Sequence, residues 1–187
     1  AERVLEIPLL FIPPQVNKFY IFDLSPANSL FDFLLKSGIQ VFAISWRNPT
    51  PEQRDWGLDA YVSALIEAVA VVQQICEVEQ INVTGACAGA MTLSALLGYY
   101  AAGGGQSPLN CATHFVAVLD LGADSLLGMF VTEDVLKTAK AASERTGVLE
   151  GSDLGRVFAW LRPNDLVWSY WVNNYLLGKD PPAFDIL

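Results

Sequence analysis

Positive charge is scarce in this chain of 187 residues: 11 lysines and arginines stand against 20 aspartates and glutamates, a net charge of −9 with the single histidine neutral. Without a basic stripe to neutralise phosphates, nucleic acid is excluded as a partner, and so is a strong electrostatic hold on anionic lipid. Cysteine is sparse as well. Three residues, an odd number without close spacing, build neither a disulfide framework nor a zinc site and point to a reducing compartment. Long apolar runs are missing: Glu67, His114 and Asp120 break the stretches that approach the roughly 20 residues of a membrane span. No signal peptide, internal repeat or disordered linker is evident. The chain opens on Ala1 rather than Met, so its first residue is not expected to be a natural start. Apolar side chains, by contrast, are plentiful. Hydrophobic residues make up 52% and charged ones 17%, which excludes disordered and low-complexity classes. The length suits about one domain, with a heavily buried core or as a piece of something larger.

Strands and helices alternate over the first two thirds of the chain. Residues 6–12 read as a buried strand stopped by Pro13 and Pro14. Asn28 is the expected N-cap of a helix in SLFDFLLKS, with Gly38 just past its end. Residues 39–46 are again short and apolar, ended by Asn48 and Pro49. Between residues 55 and 76, Leu58, Tyr61, Val62, Leu65, Val69, Val72 and Cys76 recur at helical spacing. Residues 80–84 are the next strand, 85–89 a tight turn, 91–102 a helix closed by the glycines at 103–105, and 115–119 a fourth strand. This order predicts an α/β fold, a parallel sheet with helices on both faces. Past Leu121 the rhythm breaks. Residues 134–145 and 153–161 look helical, and three of the five tryptophans fall within 160–171. Residues 1–120 are therefore expected to form a sheet-bearing core, and 121–187 a mostly helical cap.

The chemistry concentrates in Gly85-Ala86-Cys87-Ala88-Gly89, a G-x-C-x-G between a strand and a helix. That is the setting of a nucleophile elbow, where a strained turn exposes the nucleophile and flanking glycines let neighbouring backbone come close. The following helix presents its positive N-terminal end to the sulfur. The Ala88 amide is then placed for a developing oxyanion, and a second donor should come from the loop after the first strand. Pro13 and Pro14 have no N–H, so Gln15 and Val16 are the first amides available there. The plainer alternative is a small cysteine at an ordinary strand–helix turn. A base is harder to find. His114, placed at the entry of the fourth strand, would lie at the far end of the sheet from Cys87 and is read as structural. Asp120 and Asp124 follow that strand and are read as loop or cap residues; Cys76 and Cys111 are read as packing residues.

Longer stretches carry a resemblance: PPQVNKFYIFDLSPANSL, VFAISWRNPTPEQRDWGLDAY, GACAGA, GVLEGSDLGRVFAWLRPNDLVWSYWVNNYLLG and PPAFDIL are similar to successive blocks of polyhydroxyalkanoate synthases, most of all the pseudomonad type that prefers medium-chain substrates. The resemblance implies an α/β-hydrolase core, only part of it within this chain, with a mostly helical cap insertion. It implies an acyltransferase that polymerises (R)-3-hydroxyacyl-CoA into polyester with release of CoA. Cys87 matches the covalent nucleophile. The family's aspartate and histidine are expected beyond Leu187, and Asp120, Asp124 and His114 match neither. Trp168, in NDLVW, matches a tryptophan tied to activity and dimerisation. Ala90 departs from the glycine that usually follows Gly89. No cofactor is implied, since acyl-CoA is a substrate. The expected partners are the growing polyester granule and a second copy in the whole enzyme, with the protein cytoplasmic at the granule surface. A thioesterase of the same fold and a non-catalytic granule-binding module are the alternatives.

Overall fold

Short apolar segments lay down the strands of a parallel sheet, and the helices between them carry the chain back. In chain order the elements of the sheet-bearing part are β1 (Leu9–Ile12), β2 (Asp23–Ser25), β3 (Asn28–Ser29), α1 (Leu30–Lys36), β4 (Val41–Ala43), α2 (Leu58–Cys76), β5 (Ile81–Ala86), α3 (Ala88–Ala102) and β6 (Leu109–Phe115). The structure, a computed structural model, describes residues 3–16, 18–104, 106–120, 132–149, 151 and 164–180. Strands β4, β1, β5 and β6 lie side by side in that order and all run parallel, while β2 and β3 form a small antiparallel pair. Two compact units result, Ala1–Asn48 with Asp55–Leu121, and Pro49–Arg54 with Gly122–Leu187.

In the first unit the register puts Leu10 level with Phe42 on one side and Val83 on the other. Leu10, Ile12, Ile81, Val83 and Leu109 form one sheet face, packed against Val62, Leu65, Val69 and Val72 of α2 and Leu93 and Leu96 of α3. Spacings of three and four residues bring those α2 side chains onto a single stripe. By length and composition alone α2 could cross a membrane. In this structure its Val62, Leu65, Val69 and Val72 are buried against the sheet. On the opposite face Phe11 is fully buried, its ring 4.6 Å from that of Phe22 and 5.4 Å from that of Phe31.

Local chemistry explains where the elements begin and end, and where they depart from the sequence reading. Helix α1 is capped by Ser29, whose hydroxyl accepts from the Asp32 amide at 2.8 Å, and not by Asn28, which pairs in β3. Gly38 follows the helix as expected, at φ +80°; its amide donates to Leu35 and that of Ile39 to Leu34, a closure that needs a left-handed residue. The first strand starts at Leu9 rather than Glu6, because Pro8 can offer only its carbonyl, which accepts from Asn82 at 2.9 Å. The second parallel strand is shorter than residues 39–46 suggest.

The largest departure is the fourth parallel strand. Residues 115–119 were the apolar run, yet the strand is Leu109–Phe115, six residues earlier. It is an edge strand covered on one face only: Ala112 packs against the core while Cys111, Thr113 and Phe115 are exposed. Alternating polarity, rather than apolar continuity, is what such a strand shows. Cys111 is thus a surface residue of β6, against its reading as a packing residue.

In the second unit, α4 (Glu133–Thr146) coincides with the helix expected at 134–145. Thr132 caps it through a bond from the Val135 amide, and Gly147 ends it at φ +81°. Two wide helical turns, Asn164–Trp168 and Trp171–Leu176, follow further along, and Trp171 stacks on Tyr175 with ring centroids 4.5 Å apart. The helix expected at 153–161, Asp124, Trp160 and the PPAFDIL block lie outside the described residues.

Candidate functional site

Strand β5 runs straight through Gly85 and Ala86, and α3 begins at Ala88, so the turn expected over 85–89 contracts to one residue, Cys87. Its backbone sits at φ 52°, ψ −120°. For an L-residue this conformation carries strain of about 1–3 kcal/mol and persists only where the surroundings dictate it. They do so here from three sides. The Cys87 amide donates to the Phe115 carbonyl of β6 at 2.9 Å, and its own carbonyl accepts from Ala90 at 3.0 Å and Met91 at 3.3 Å. A Cβ at Gly89 would lie 2.3 Å from the Ile12 carbonyl oxygen and 2.6 Å from that of Pro13. One at Gly85 would lie 2.7 Å from the Ala90 Cα. Glycine is therefore the residue these two positions admit, and the bareness of Gly85 accommodates the fully buried Ala90. The Cys87 side chain is exposed, at the carboxyl edge of the sheet and the N-terminus of α3.

The loop after β1 packs directly on this turn. The Trp46 indole donates to the Pro13 carbonyl at 2.7 Å. Gln15 Nε2 donates to Thr92 Oγ1 at 2.8 Å, and Thr92 Oγ1 donates to the Ala88 carbonyl at 3.1 Å. Among the described residues, no backbone carbonyl accepts from the amides of Gln15, Val16 or Ala88. Gln15 is half-buried and Val16 exposed. Sequence reasoning named Gln15 for its amide and missed its side chain. It missed Thr92 and Trp46 too. The one available signal was the Thr92 hydroxyl in MTLSALL, an apolar helix segment where alanine or leucine would pack.

His114 belongs elsewhere than the sequence suggested. With the strand ending at Phe115, it stands at the same end of the sheet as Cys87, level with Gly85. Its ring points to α3, Nε2 lying 3.1 Å from Ser94 Oγ. That hydroxyl donates to the Ala90 carbonyl at 3.0 Å, which leaves the imidazole as donor to Ser94. The residue ties β6 to α3, and the ground on which it was set aside, its distance from Cys87 along the sheet, does not hold. Asp120 is exposed beyond the strand, in a segment without regular structure. Cys76 is half-buried against the core, and burial pushes its thiol up. Trp168 is exposed on the second unit. Among the described residues no group of His, Cys, Asp and Glu could hold a metal ion.

Comparison with known proteins accords with the sequence blocks. Residues 1–34 match the family described as "Poly-beta-hydroxybutyrate polymerase (PhaC) N-terminus". The whole chain is 54% identical to poly(3-hydroxyalkanoate) polymerase 1 and 52% identical to polymerase 2 of Ectopseudomonas oleovorans, covering 33% of each. It is 38% identical to the poly(3-hydroxyalkanoate) polymerase subunit of Cupriavidus necator, again over its full length and 33% of that protein. From first residue to last, the chain is similar to the poly(3-hydroxyalkanoate) polymerases and spans about a third of the length of these relatives.

Proposed function

We propose that this chain carries the nucleophile-bearing part of a polymerase with an α/β-hydrolase core, which joins (R)-3-hydroxyacyl groups from their CoA thioesters into a storage polyester. Cys87 carries the reading: an exposed thiol on a one-residue reversal at positive φ, ahead of a 15-residue helix. In this reading the Cys87 thiol gives its proton to a base, and its sulfur attacks the thioester carbonyl carbon and forms a new S–C bond, while the carbonyl electron pair moves onto oxygen. The Ala88 amide, with that of Gln15 or Val16, receives this oxyanion. Collapse breaks the C–S bond to CoA, whose thiolate takes up a proton, and leaves acyl-Cys87. The 3-hydroxyl of the next unit then gives its proton to a base and attacks that acyl group, lengthening the ester and releasing the Cys87 sulfur.

The base and its acidic partner belong, by resemblance, to a histidine and an aspartate further along the polymerase. Residues 121–187 serve as the start of a cap that keeps water from the acyl-enzyme, with Trp168 at a pocket or subunit contact. Medium-chain acyl groups are the substrates, the whole polymerase works as a dimer at the cytoplasmic granule surface, and no cofactor is needed. The test is intact-mass analysis with a medium-chain (R)-3-hydroxyacyl-CoA, the chain being joined to the remaining two thirds of a relative. Acyl mass on Cys87, lost in Cys87→Ala, supports the reading; acylation that persists in Cys87→Ala overturns it. Free hydroxy acid in place of polyester would assign a thioesterase instead.

A further inference from the structure

We propose that the Gln15 side chain is a positioning residue: through Thr92 it ties the loop after β1 to the first turn of α3 and so fixes the spacing of the two amides that receive the oxyanion. This rests on the reading of Cys87 as the acyl acceptor. The tie is directional. Gln15 Nε2 donates to Thr92 Oγ1 at 2.8 Å, and the hydroxyl passes its own proton to the Ala88 carbonyl at 3.1 Å. It therefore begins beside the Gln15 and Val16 amides, one of which serves, and ends on Ala88, whose amide is the other donor. Thr92 is 3% exposed, so the hydroxyl is enclosed and water competes poorly for it.

Other contacts hold the loop on either side of Gln15: at Pro13, through Trp46 and the close approach of Gly89, and at Lys18, whose Nζ donates to the Trp46 carbonyl and to the Asn48 side chain. Beyond Pro13 and Pro14, which have no N–H, no backbone carbonyl among the described residues accepts from Gln15 or Val16. At this point the side chain does what a backbone ladder does elsewhere. Donors must stand about 2.7–3.1 Å from the oxyanion, so a loop free to shift by even a fraction of an ångström loses part of its effect.

The test uses the chain itself at mildly alkaline pH, which substitutes for a base, with an activated S-phenyl thioester of a medium-chain 3-hydroxy acid. Acylation of Cys87 is followed by intact mass, and alkylation by iodoacetamide is followed in parallel. Alkylation is a displacement at saturated carbon and builds no oxyanion. Gln15→Leu and Thr92→Val are expected to slow acylation about 10- to 100-fold and to leave alkylation unchanged. The double variant should be no slower than the slower single one, and Thr92→Ser, which keeps the hydroxyl, should restore the rate. Backbone 15N order parameters at Gln15 and Val16 should fall in Thr92→Val. Acylation that is unaffected, or that falls together with alkylation, overturns the proposal. Were the unaltered chain, which lacks the base, to take up no acyl group, the functional reading would be judged on the whole polymerase and the tie on relaxation alone: unchanged order parameters at Gln15 and Val16 in Thr92→Val overturn the tie, and lowered ones sustain it.

Discussion

Replacing Cys87 by glycine should make the protein more stable. The residue's φ of 52° and ψ of −120° are the mirror image of an ordinary turn conformation, so achiral glycine occupies it without strain. Relief of the strain is worth about 1–3 kcal/mol, against about 0.5–1 kcal/mol for the extra freedom glycine brings to the unfolded chain. The thiol is exposed, so its removal forfeits little burial. The balance is a gain of about 1 kcal/mol, roughly 2–4 °C in Tm for a chain of this size. Cys87→Ala is the control. It keeps Cβ, and with it the strain, and should stay within about 0.5 kcal/mol of the unaltered protein. Urea denaturation of the three proteins, compared at equal m-value, measures the difference. Were Cys87→Gly no more stable than Cys87→Ala, the turn would not be strained, and the claim that the fold stores energy at this thiol would be wrong.

Other outcomes follow from the packing around the turn. Gly89→Ala sets a Cβ against two backbone carbonyls that cannot move without dragging β1; a loss of about 3 kcal/mol, or failure to fold, is expected by thermal melting. Leu65→Ala removes a fully buried side chain from the contact of α2 with the sheet and should cost about 2–5 kcal/mol in urea. The Tyr100 hydroxyl has its pKa raised, first by burial and then by the neighbouring Tyr99. The unfolded chain ionises there first, so this contribution to stability is whole below about pH 10 and is lost as pH rises through the higher folded value. Tyr100→Phe should therefore lose less stability than the unaltered chain above that pH, measured as urea midpoints across the range.

The strand–helix order was legible because each parallel strand buried on both faces is a continuous apolar run, and because the α2 stripe keeps a strict helical period. Cys87 was legible from its two glycines, and the structure gives each a separate reason: Gly89 for the approach of β1, Gly85 for that of Ala90. What escaped was whatever depends on a single covered face or on partners distant in sequence. Strand β6 alternates because half of it is exposed, so the apolar run after it drew the assignment six residues too far. That slip moved His114 to the wrong end of the sheet. The bond from Gln15 to Thr92 spans 77 residues of sequence, and no local pattern announces it. Ser29 and Asn28 are both good caps by type and both pair in β3; the bond from the Asp32 amide to the Ser29 hydroxyl decides between them.

The most direct measurement is intact mass after exposure of this chain, joined to the remaining two thirds of a relative, to a medium-chain (R)-3-hydroxyacyl-CoA. A gain of acyl mass that maps to Cys87, matched by released CoA and absent in Cys87→Ala, is the expected result. Acylation mapping to another residue, or persisting in Cys87→Ala, would contradict the account.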